Sequence, residues 1–507
     1  AIAAVIAAPG DYGADRIFTY MEPFLTPRMA AESLVLASLA AALRERRTLA
    51  VALIATAALL HPLMATPGIA ALLYRLAAVR KPLLAAAVVI VGLKAVVLTA
   101  LALPEGPWGR FDANWLAAVE RRSPYLFLGG WHADDWARAA LPLATLAVGS
   151  IVLRDRARAL AQLGLWIGIA GLALTFIGCD ALHVVRLTQL QPWRCLWLGA
   201  LVAALLLPLT LHTLWNTDRP ARSTALLLIA GWVFAGNLYG LAAVSLAALS
   251  LLLPNRLRAS EARWVYYGAA GLLAIAVAWR LASNMQFTDA HYFDPHIPLW
   301  IRRTMSFTRD GTIPTTVITA AWVLARRRGG KWPLLGVGAL GALLCVLLMP
   351  YTWGRWTDNE FPAARIEQFA AFRQEVPPGE DVFWPELPIG AWVLLDRPSY
   401  LSVIQTSGLV FSQESARELR RRADALSAVI DPRAFLEFDG GGAAMTLTPQ
   451  QLNRVCESGA VHYLVSGADL AEKPVADVAP AAGSHAKPLH LYRCHPGAGQ
   501  TRAAAAT

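Results

Sequence analysis

Three carboxylates lie close together near the start of the chain, immediately before a long apolar stretch. Asp11 and Asp15 stand in DYGADR, and Glu22 stands in MEPFLTPR, which ends at Arg28. A carboxylate held at a membrane surface can act as a general base toward a hydroxyl group, and it can also hold a divalent cation. The three acids are therefore candidate catalytic residues, with Arg28 as a candidate ligand for an anion. The alternative is a solvated loop with ordinary ion pairs.

A second group of titratable side chains follows much later, in TDAHYFDPH and the residues after it. It comprises Asp289, His291, Asp294 and His296, followed by Arg302 and Arg303. Carboxylate and imidazole groups together can ligate a metal, whereas arginines can hold a phosphate through paired hydrogen bonds. The pattern predicts a candidate site for Mg or Mn and two candidate phosphate ligands. It matches no zinc signature, and a plain surface loop is the alternative.

A third group is RLTQLQPWR, which begins at Arg186 and ends at Arg194. Arg194 opens an apolar run on its outer side, where positive charge is disfavoured by the positive-inside rule. A lipid phosphate or pyrophosphate is a natural partner, although snorkelling to ordinary headgroups would also explain the arginine. His61, at a break between helices, joins the candidate binding residues. A histidine there can equally be a hydrogen-bonded core residue.

These groups must be positioned by apolar segments. The chain has 507 residues, of which 56% are hydrophobic and only 16% charged, and its mean hydropathy is +0.45. Runs such as Leu83–Leu103 and Cys195–Leu214 reach the roughly 20 residues that cross a bilayer as a helix. About twelve such stretches between residues 29 and 350 predict a polytopic α-helical membrane protein.

Arginine clusters orient these stretches. The net charge is +10, and arginines concentrate between apolar runs at 44–47, 154–158 and 326–328. This pattern is typical of cytoplasmic loops, and it places every large polar segment on the outer side. Because the positive charge is explained in this way, nucleic acid is excluded as a partner and membrane lipids are expected. The sequence contains no P-loop, GxSxG, HExxH or dinucleotide-binding motif.

Two stretches begin and end on the inner side, so each predicts a pair of short helices. Residues 48–81 are broken at His61-Pro62 and Pro67-Gly68, which predicts helices at 49–60 and 66–79. Residues 224–253 are broken at 236–240. Broken helices are tolerated at membrane depth where they line a cavity. A single long tilted helix in each stretch is the alternative.

The composition changes after residue 350. We predict a transmembrane domain at 1–350 and a soluble α/β domain with a floppy tail (496–507) at 351–507. Apolar runs predict strands at 381–384, 391–395, 461–465 and 489–492, while helices are predicted at 412–430 and, from a capping box, 449–457. If this domain lies outside the cytoplasm, Cys456 and Cys494 can form a disulfide.

This layout resembles the GT-C superfamily of membrane glycosyltransferases, which take sugar from a polyprenyl-phosphate carrier. The resemblance rests on about a dozen predicted helices, an acidic first outer loop, a later outer loop with titratable residues, and a C-terminal domain. The segment VPPGEDVFW at 376–384 is also similar to the opening of periplasmic domains in GT-C-like bacterial proteins. The tight acidic pair usual in the first loop is replaced here by spaced acids.

The resemblance implies a multi-pass protein of the bacterial inner membrane with its C-terminal domain in the periplasm. It would transfer a sugar from a polyprenyl-phosphate carrier to a glycan, lipid or protein acceptor with inversion. Asp11, Asp15 or Glu22 would be the base, and the outer arginines would bind the carrier phosphate. An O-antigen-type polysaccharide polymerase or ligase, a flippase for a lipid-linked substrate and a non-catalytic scaffold are the competing hypotheses.

Overall fold

A computed structural model describes residues 11–19, 26–77, 103–251, 259–291, 298–308, 335–336, 338–340, 343, 363–437, 445–479 and 488–494. The chain forms two compact units. The first comprises Ala1–Ala102, Tyr125–Leu182 and Leu190–Leu348, and the second comprises Leu103–Pro124, His183–Gln189 and Met349–Thr507. Nearly all of the helix predicted at 83–103, the helix at 311–325, most of that at 333–350 and the tail lie outside the described residues. The domain boundary predicted at residue 350 stays a prediction.

The described part of the chain is mostly helical. A short hairpin, β1 (Asp11–Tyr12) and β2 (Phe18–Thr19), comes first. The helices that follow are α1 (Pro27–Leu43), α2 (Arg47–Leu60), α3 (Pro62–Ala77), α4 (Ala113–Arg122), α5 (Ala133–Val152), α6 (Asp155–Thr175, continued by a π-helix at Phe176–Ala181), α7 (Val185–Leu190), α8 (Cys195–Trp215), α9 (Arg219–Val233), α10 (Leu238–Ser250), α11 (Ala259–His291) and α12 (Leu299–Thr308).

Three helical segments of the described residues are long and apolar enough to cross a membrane. They are Asp155–Ala181, Val185–Trp215 and Arg263–Phe287. Shorter apolar helices occupy Arg47–Leu60, Pro62–Tyr74 and Leu238–Ser250. These lengths and compositions are those of a helical membrane protein.

The two predicted pairs of short helices are confirmed. Helix α2 ends at Leu60 and α3 begins at Pro62, with His61 extended between them. Helix α9 ends at Val233, and α10 starts after Asn237, whose side chain accepts hydrogen bonds from the amides of Tyr239 and Gly240. The second predicted break, at Pro67-Gly68, is wrong because α3 continues through Pro67. Pro67 removes one hydrogen bond inside the helix, the one to the carbonyl of Leu63, and the packing of α3 on α1 and α2 outweighs this loss.

Capping residues fix where the helices of the first unit begin. The Thr26 side chain accepts a hydrogen bond from the Met29 amide and Pro27 opens α1, while Asp218 caps α9 in the same way. Helix α1 packs on α2 and α3, and α8 packs on both α5 and α6. The largest buried side chains of this core include Trp193 and Trp197. The N-terminal end of α8 is therefore embedded in this core.

The second unit contains the α/β part of the chain. Its remaining elements are α13 (Ala363–Gln368), α14 (Ala370–Glu375), β3 (Val382–Phe383), α15 (Gly390–Val393), α16 (Gln413–Ala425), α17 (Arg433–Leu436), α18 (Pro449–Glu457), β4 (Tyr463–Ser466), β5 (Ala476–Val478) and β6 (Leu489–Arg493). The sheet order is β3-β4-β6-β5. Strands β3 and β4 are parallel, and the other pairs are antiparallel. The capping box of α18, Thr448 with Gln451, is confirmed.

The strand predicted at 391–395 is wrong, because Gly390–Val393 forms a helical turn. The amides of Val393 and Leu394 bond to the carbonyls of Ile389 and Gly390. A five-residue apolar run carries too few periods to separate a buried strand from a buried helical turn. Tertiary packing decides between them here.

Helix α4 lies in the second unit, where it forms hydrogen bonds with residues 403–409, which are far from it in the sequence. The Trp115 indole donates to the carbonyl of Leu409 at 2.8 Å. The Arg122 guanidinium is buried and donates to the Val403 carbonyl and the Thr406 hydroxyl, both at 2.8 Å. The residues at 103–124 are therefore an integral part of this unit.

Cys456 and Cys494 form a disulfide, with their Cα atoms 4.6 Å apart. Replacing both with serine is expected to lower the free energy of unfolding of the second unit by about 3–4 kcal/mol, because the bridge closes a loop of 38 residues. Denaturant unfolding of the full chain, with and without a thiol reductant, measures this loss.

Reductant should destabilise the wild type to the level of the double serine variant. Cys179→Ala is the control, since Cys179 is a buried cysteine outside the Cys456–Cys494 bridge, and it should retain the full sensitivity to reductant. A wild-type transition that reductant leaves unchanged would contradict the bridge.

Candidate functional site

The candidate site is built on the β1–β2 hairpin of the first unit. Tyr12 pairs with Phe18 across the hairpin. The turn between the strands places Gly13 at φ +82° and Asp15 at φ 54°. Glycine and aspartate are among the residues that tolerate this left-handed region best. The local sequence Gly13-Ala14-Asp15 thus supplies the backbone freedom that the turn requires.

Trp193 fixes the hairpin to the core. Its ring is fully buried, and a Cβ atom placed on Gly13 would clash with it. Phe18 stacks on the same ring at a centroid distance of 5.7 Å, and on Tyr12 at 5.7 Å. The hairpin therefore lies directly against the turn that precedes α8.

Two arginines converge on the ring of Phe18. The Arg28 guanidinium lies 4.5 Å and that of Arg194 lies 3.9 Å from the ring centroid. Arg28 comes from the first turn of α1, and Arg194 comes from the turn before α8. Cation–π contacts contribute about 0.5–2 kcal/mol, but they leave two like charges in one region. Such an arrangement favours a bound anion.

Arg194 is held in a fixed orientation. It is buried; its Nε donates to Gln191 Oε1 at 2.8 Å, and its Nη1 contacts Met64 Sδ at 3.4 Å. The carboxylate of Glu32, on α1, is near enough to interact with it electrostatically. The Met64 amide donates to His61 Nδ1 at 3.3 Å. His61 thus caps α3, the helix that presents Met64 to Arg194.

Asp15 is tied to the beginning of α5. Its amide donates to Asp135 Oδ1 at 3.0 Å, and Asp135 is buried and forms an ion pair with Arg138. Burial raises the pKa of the Asp15 carboxyl, and the neighbouring Asp135 raises it further, while His132 and Arg138 act in the opposite direction. A carboxylate with a raised pKa is a stronger base toward a hydroxyl proton.

Asp135, Arg138 and Phe18 were not among the predicted site residues. One local signal was present: His132 and Asp135 stand at the spacing of a capping box, which the structure contains at the start of α5. That signal predicts a helix start, but it does not reveal the contact with Asp15.

The predicted candidates are distributed unevenly. Asp15, Arg28, Arg194 and His61 lie in the region just described. Arg186 belongs to the second unit, where its guanidinium stacks on Trp108 at 3.8 Å and donates to Gln189. Arg302 and Arg303 lie on α12, which packs against α11. The side chain of Asp11 and all of Glu22 lie outside the described residues.

The side chains of the four predicted metal ligands also lie outside the described residues. Asp294 and His296 are not described, and of Asp289 and His291 only the backbone, at the end of α11, is described. Within the described ranges, no group of three His, Cys, Asp or Glu side chains is arranged to hold a metal ion. The Mg or Mn site stays a prediction.

Comparison with protein-family models, with curated proteins and with solved structures finds no match to this chain. The class of protein must therefore be argued from the geometry of the site.

Gly13→Ala is expected to destabilise the first unit by about 2–4 kcal/mol, the sum of a positive-φ cost and of overpacking against Trp193. It should also lower function, because Trp193 adjoins Arg194. Thermal unfolding of the purified chain measures the first effect. Gly379→Ala is the control, since Gly379 has φ +90° with open space around it, and it should show only the φ cost of about 1 kcal/mol. Equal losses in both variants would disprove the contact with Trp193.

Proposed function

We propose that this protein is a GT-C-like inverting glycosyltransferase that takes a sugar from a polyprenyl-phosphate carrier. The observation that carries the proposal is the hairpin at residues 11–19. This one short hairpin carries both Asp15, a carboxyl group of raised pKa, and Phe18, the ring on which Arg28 and Arg194 converge. A base for a hydroxyl and a pair of cations for a phosphate are the two groups that such a transfer requires.

The proposed reaction is a single displacement. The Asp15 carboxylate accepts the proton of the acceptor hydroxyl as the hydroxyl oxygen attacks the anomeric carbon. The bond between that carbon and the phosphate oxygen breaks with both electrons remaining on the phosphate, so the configuration inverts. Arg28 and Arg194 stabilise the negative charge of the departing polyprenyl phosphate. The acceptor is a glycan, a lipid or a protein hydroxyl.

The proposal includes a location. Three segments that can cross a membrane and several short apolar helices support a multi-pass protein, which we place in a bacterial inner membrane with about twelve spans. The Cys456–Cys494 disulfide is of the kind that persists in oxidising compartments. It supports a periplasmic position for the C-terminal domain.

Reconstitution into sealed liposomes tests the proposal. The full chain is supplied with a panel of radiolabelled polyprenyl-phosphate monosaccharides and with a membrane extract as acceptor, and products are analysed for a new glycosidic bond. We expect transfer from at least one donor, together with release of polyprenyl phosphate. Movement of label across the bilayer without a new bond would indicate a flippase instead. In a parallel reaction that contains only lipid-linked oligosaccharide, polymer growth would indicate a polymerase.

A further inference from the structure

A cavity of about 570 Å³ opens in the first unit at the other end of α8 from Arg194. Helix α8 has 21 residues, so at 1.5 Å per residue the cavity lies about 30 Å from the Asp15 region. It is formed where α5, α8 and α10 end and where α6 and α9 begin. The cavity is therefore separate from the site proposed for sugar transfer.

The lining of the cavity is divided by polarity. One part is aliphatic and includes Leu153, Leu209 and Leu214. The other part carries hydroxyl groups, among them Thr213, Thr224 and Ser250. A wall of this kind suits a ligand with an apolar part and a hydrogen-bonding part.

A cationic side chain stands at the polar part. Arg154 lines the cavity and is exposed, and no side chain or carbonyl among the described residues hydrogen-bonds or ion-pairs with its guanidinium. The one carboxylate in the lining, Asp218, already accepts a hydrogen bond from the Ala221 amide at 2.9 Å as the cap of α9. The guanidinium is thus available to an incoming anion, for which it offers paired donors.

The surroundings are strongly basic. The segments 154–158 and 218–222 together hold five arginines and two aspartates. Basic pockets between membrane helices at the arginine-rich end are a recurring type of binding site for anionic lipid headgroups. The volume also falls within the range of about 300–1,000 Å³ that is usual for small-molecule sites.

We infer that this cavity binds an anionic glycerophospholipid, with the phosphate diester on Arg154 and the start of an acyl chain along the leucines. The shared chemistry is a phosphate group, which could also come from a water-soluble phosphate ester. The division of the lining favours the lipid, because a soluble ester would leave the aliphatic wall in water.

Native mass spectrometry of the full chain in detergent tests the inference. The probes are short-chain phosphatidylglycerol, phosphatidylcholine with the same chains, and glycerol phosphate. We expect phosphatidylglycerol to bind at least about tenfold more tightly than phosphatidylcholine, because both lipids carry the phosphate diester but only phosphatidylcholine adds a quaternary ammonium, which the arginines around the cavity repel. Glycerol phosphate should not displace it. Displacement by glycerol phosphate, or equal binding of the two lipids, would overturn the lipid assignment.

Three variants locate the site. Arg154→Gln should weaken phosphatidylglycerol binding about tenfold, whereas Arg156→Gln, an exposed arginine two residues away that does not line the cavity, should change it less than about twofold. Thr213→Leu places bulk inside the cavity and should weaken both lipids. Equal losses for the two arginine variants would show diffuse attraction rather than a site and would overturn the inference.

The inference does not depend on sugar transfer. Asp15→Asn should bind phosphatidylglycerol as the wild type does, because Asp15 lies at the opposite end of α8. A loss of lipid binding in Asp15→Asn would contradict the separation of the two sites.

Discussion

Asp15→Asn is expected to lower the rate of sugar transfer by about 10²- to 10⁴-fold, the usual contribution of a general base. Asparagine keeps the size of the side chain and the backbone bond from its amide to Asp135, but it cannot accept the hydroxyl proton. The loss should therefore fall on kcat, while binding of the polyprenyl-phosphate donor stays within about threefold of the wild type. Initial rates over a range of donor concentrations measure both quantities.

Asp134→Asn is the matched control, because Asp134 is an exposed neighbour of Asp135 and should leave the rate unchanged. A rate of transfer by Asp15→Asn within about threefold of the wild type would exclude Asp15 as the base.

The pH dependence of the sugar-transfer rate is a second, independent test of Asp15 as the base. Burial and the neighbouring Asp135 raise the pKa of Asp15 above its ordinary value of 3.8. Only the deprotonated form can act as a base, so activity should fall as the pH decreases through this raised pKa, earlier than for an ordinary aspartate. Asp135→Asn removes a charge that raises the pKa, and it should move the acidic limb to lower pH.

Arg194→Gln is expected to weaken binding of polyprenyl phosphate by about 10- to 150-fold, because a hydrogen bond to a charged group contributes about 1.5–3 kcal/mol. Polyprenyl phosphate is the product common to all donors, so this test does not require the sugar to be known. Equilibrium binding of the carrier to the purified chain is the measurement. Arg28→Gln should act in the same direction, since both guanidinium groups lie over Phe18.

Arg194→Lys separates charge from geometry. Lysine retains the positive charge but lacks the planar fork that reaches both Gln191 and the Phe18 ring, so its affinity should lie between those of wild type and glutamine variant. Arg44→Gln is the control, because Arg44 is exposed and stands at the other end of α1. If Arg44→Gln weakens binding as much as Arg194→Gln does, the phosphate is not bound by Arg28 and Arg194.

Local features of the sequence were enough to place many elements. The breaks at His61 and at Asn237, the helix at 195–215 and the capping box of α18 all follow from residues within a few positions of each other. Hydrogen bonds and steric limits at these positions involve only neighbouring backbone groups, so they hold whatever the rest of the chain does. At 391–395 the local pattern fitted both a buried strand and a buried helical turn, so only tertiary packing could decide between them.

The sequence by itself determined that apolar helices dominate the described part of the chain, and it predicts that arginines mark one end of these helices while acids and other arginines occupy polar segments at the other end. It did not determine which of these charged residues meet. Only the tertiary structure joins Asp15 to Asp135, 120 positions away, and sets Arg28 and Arg194 on one ring while Arg186 stacks on Trp108 in the second unit. Helix packing decides these contacts because they depend on which faces of distant helices are buried together, and no local periodicity records that choice.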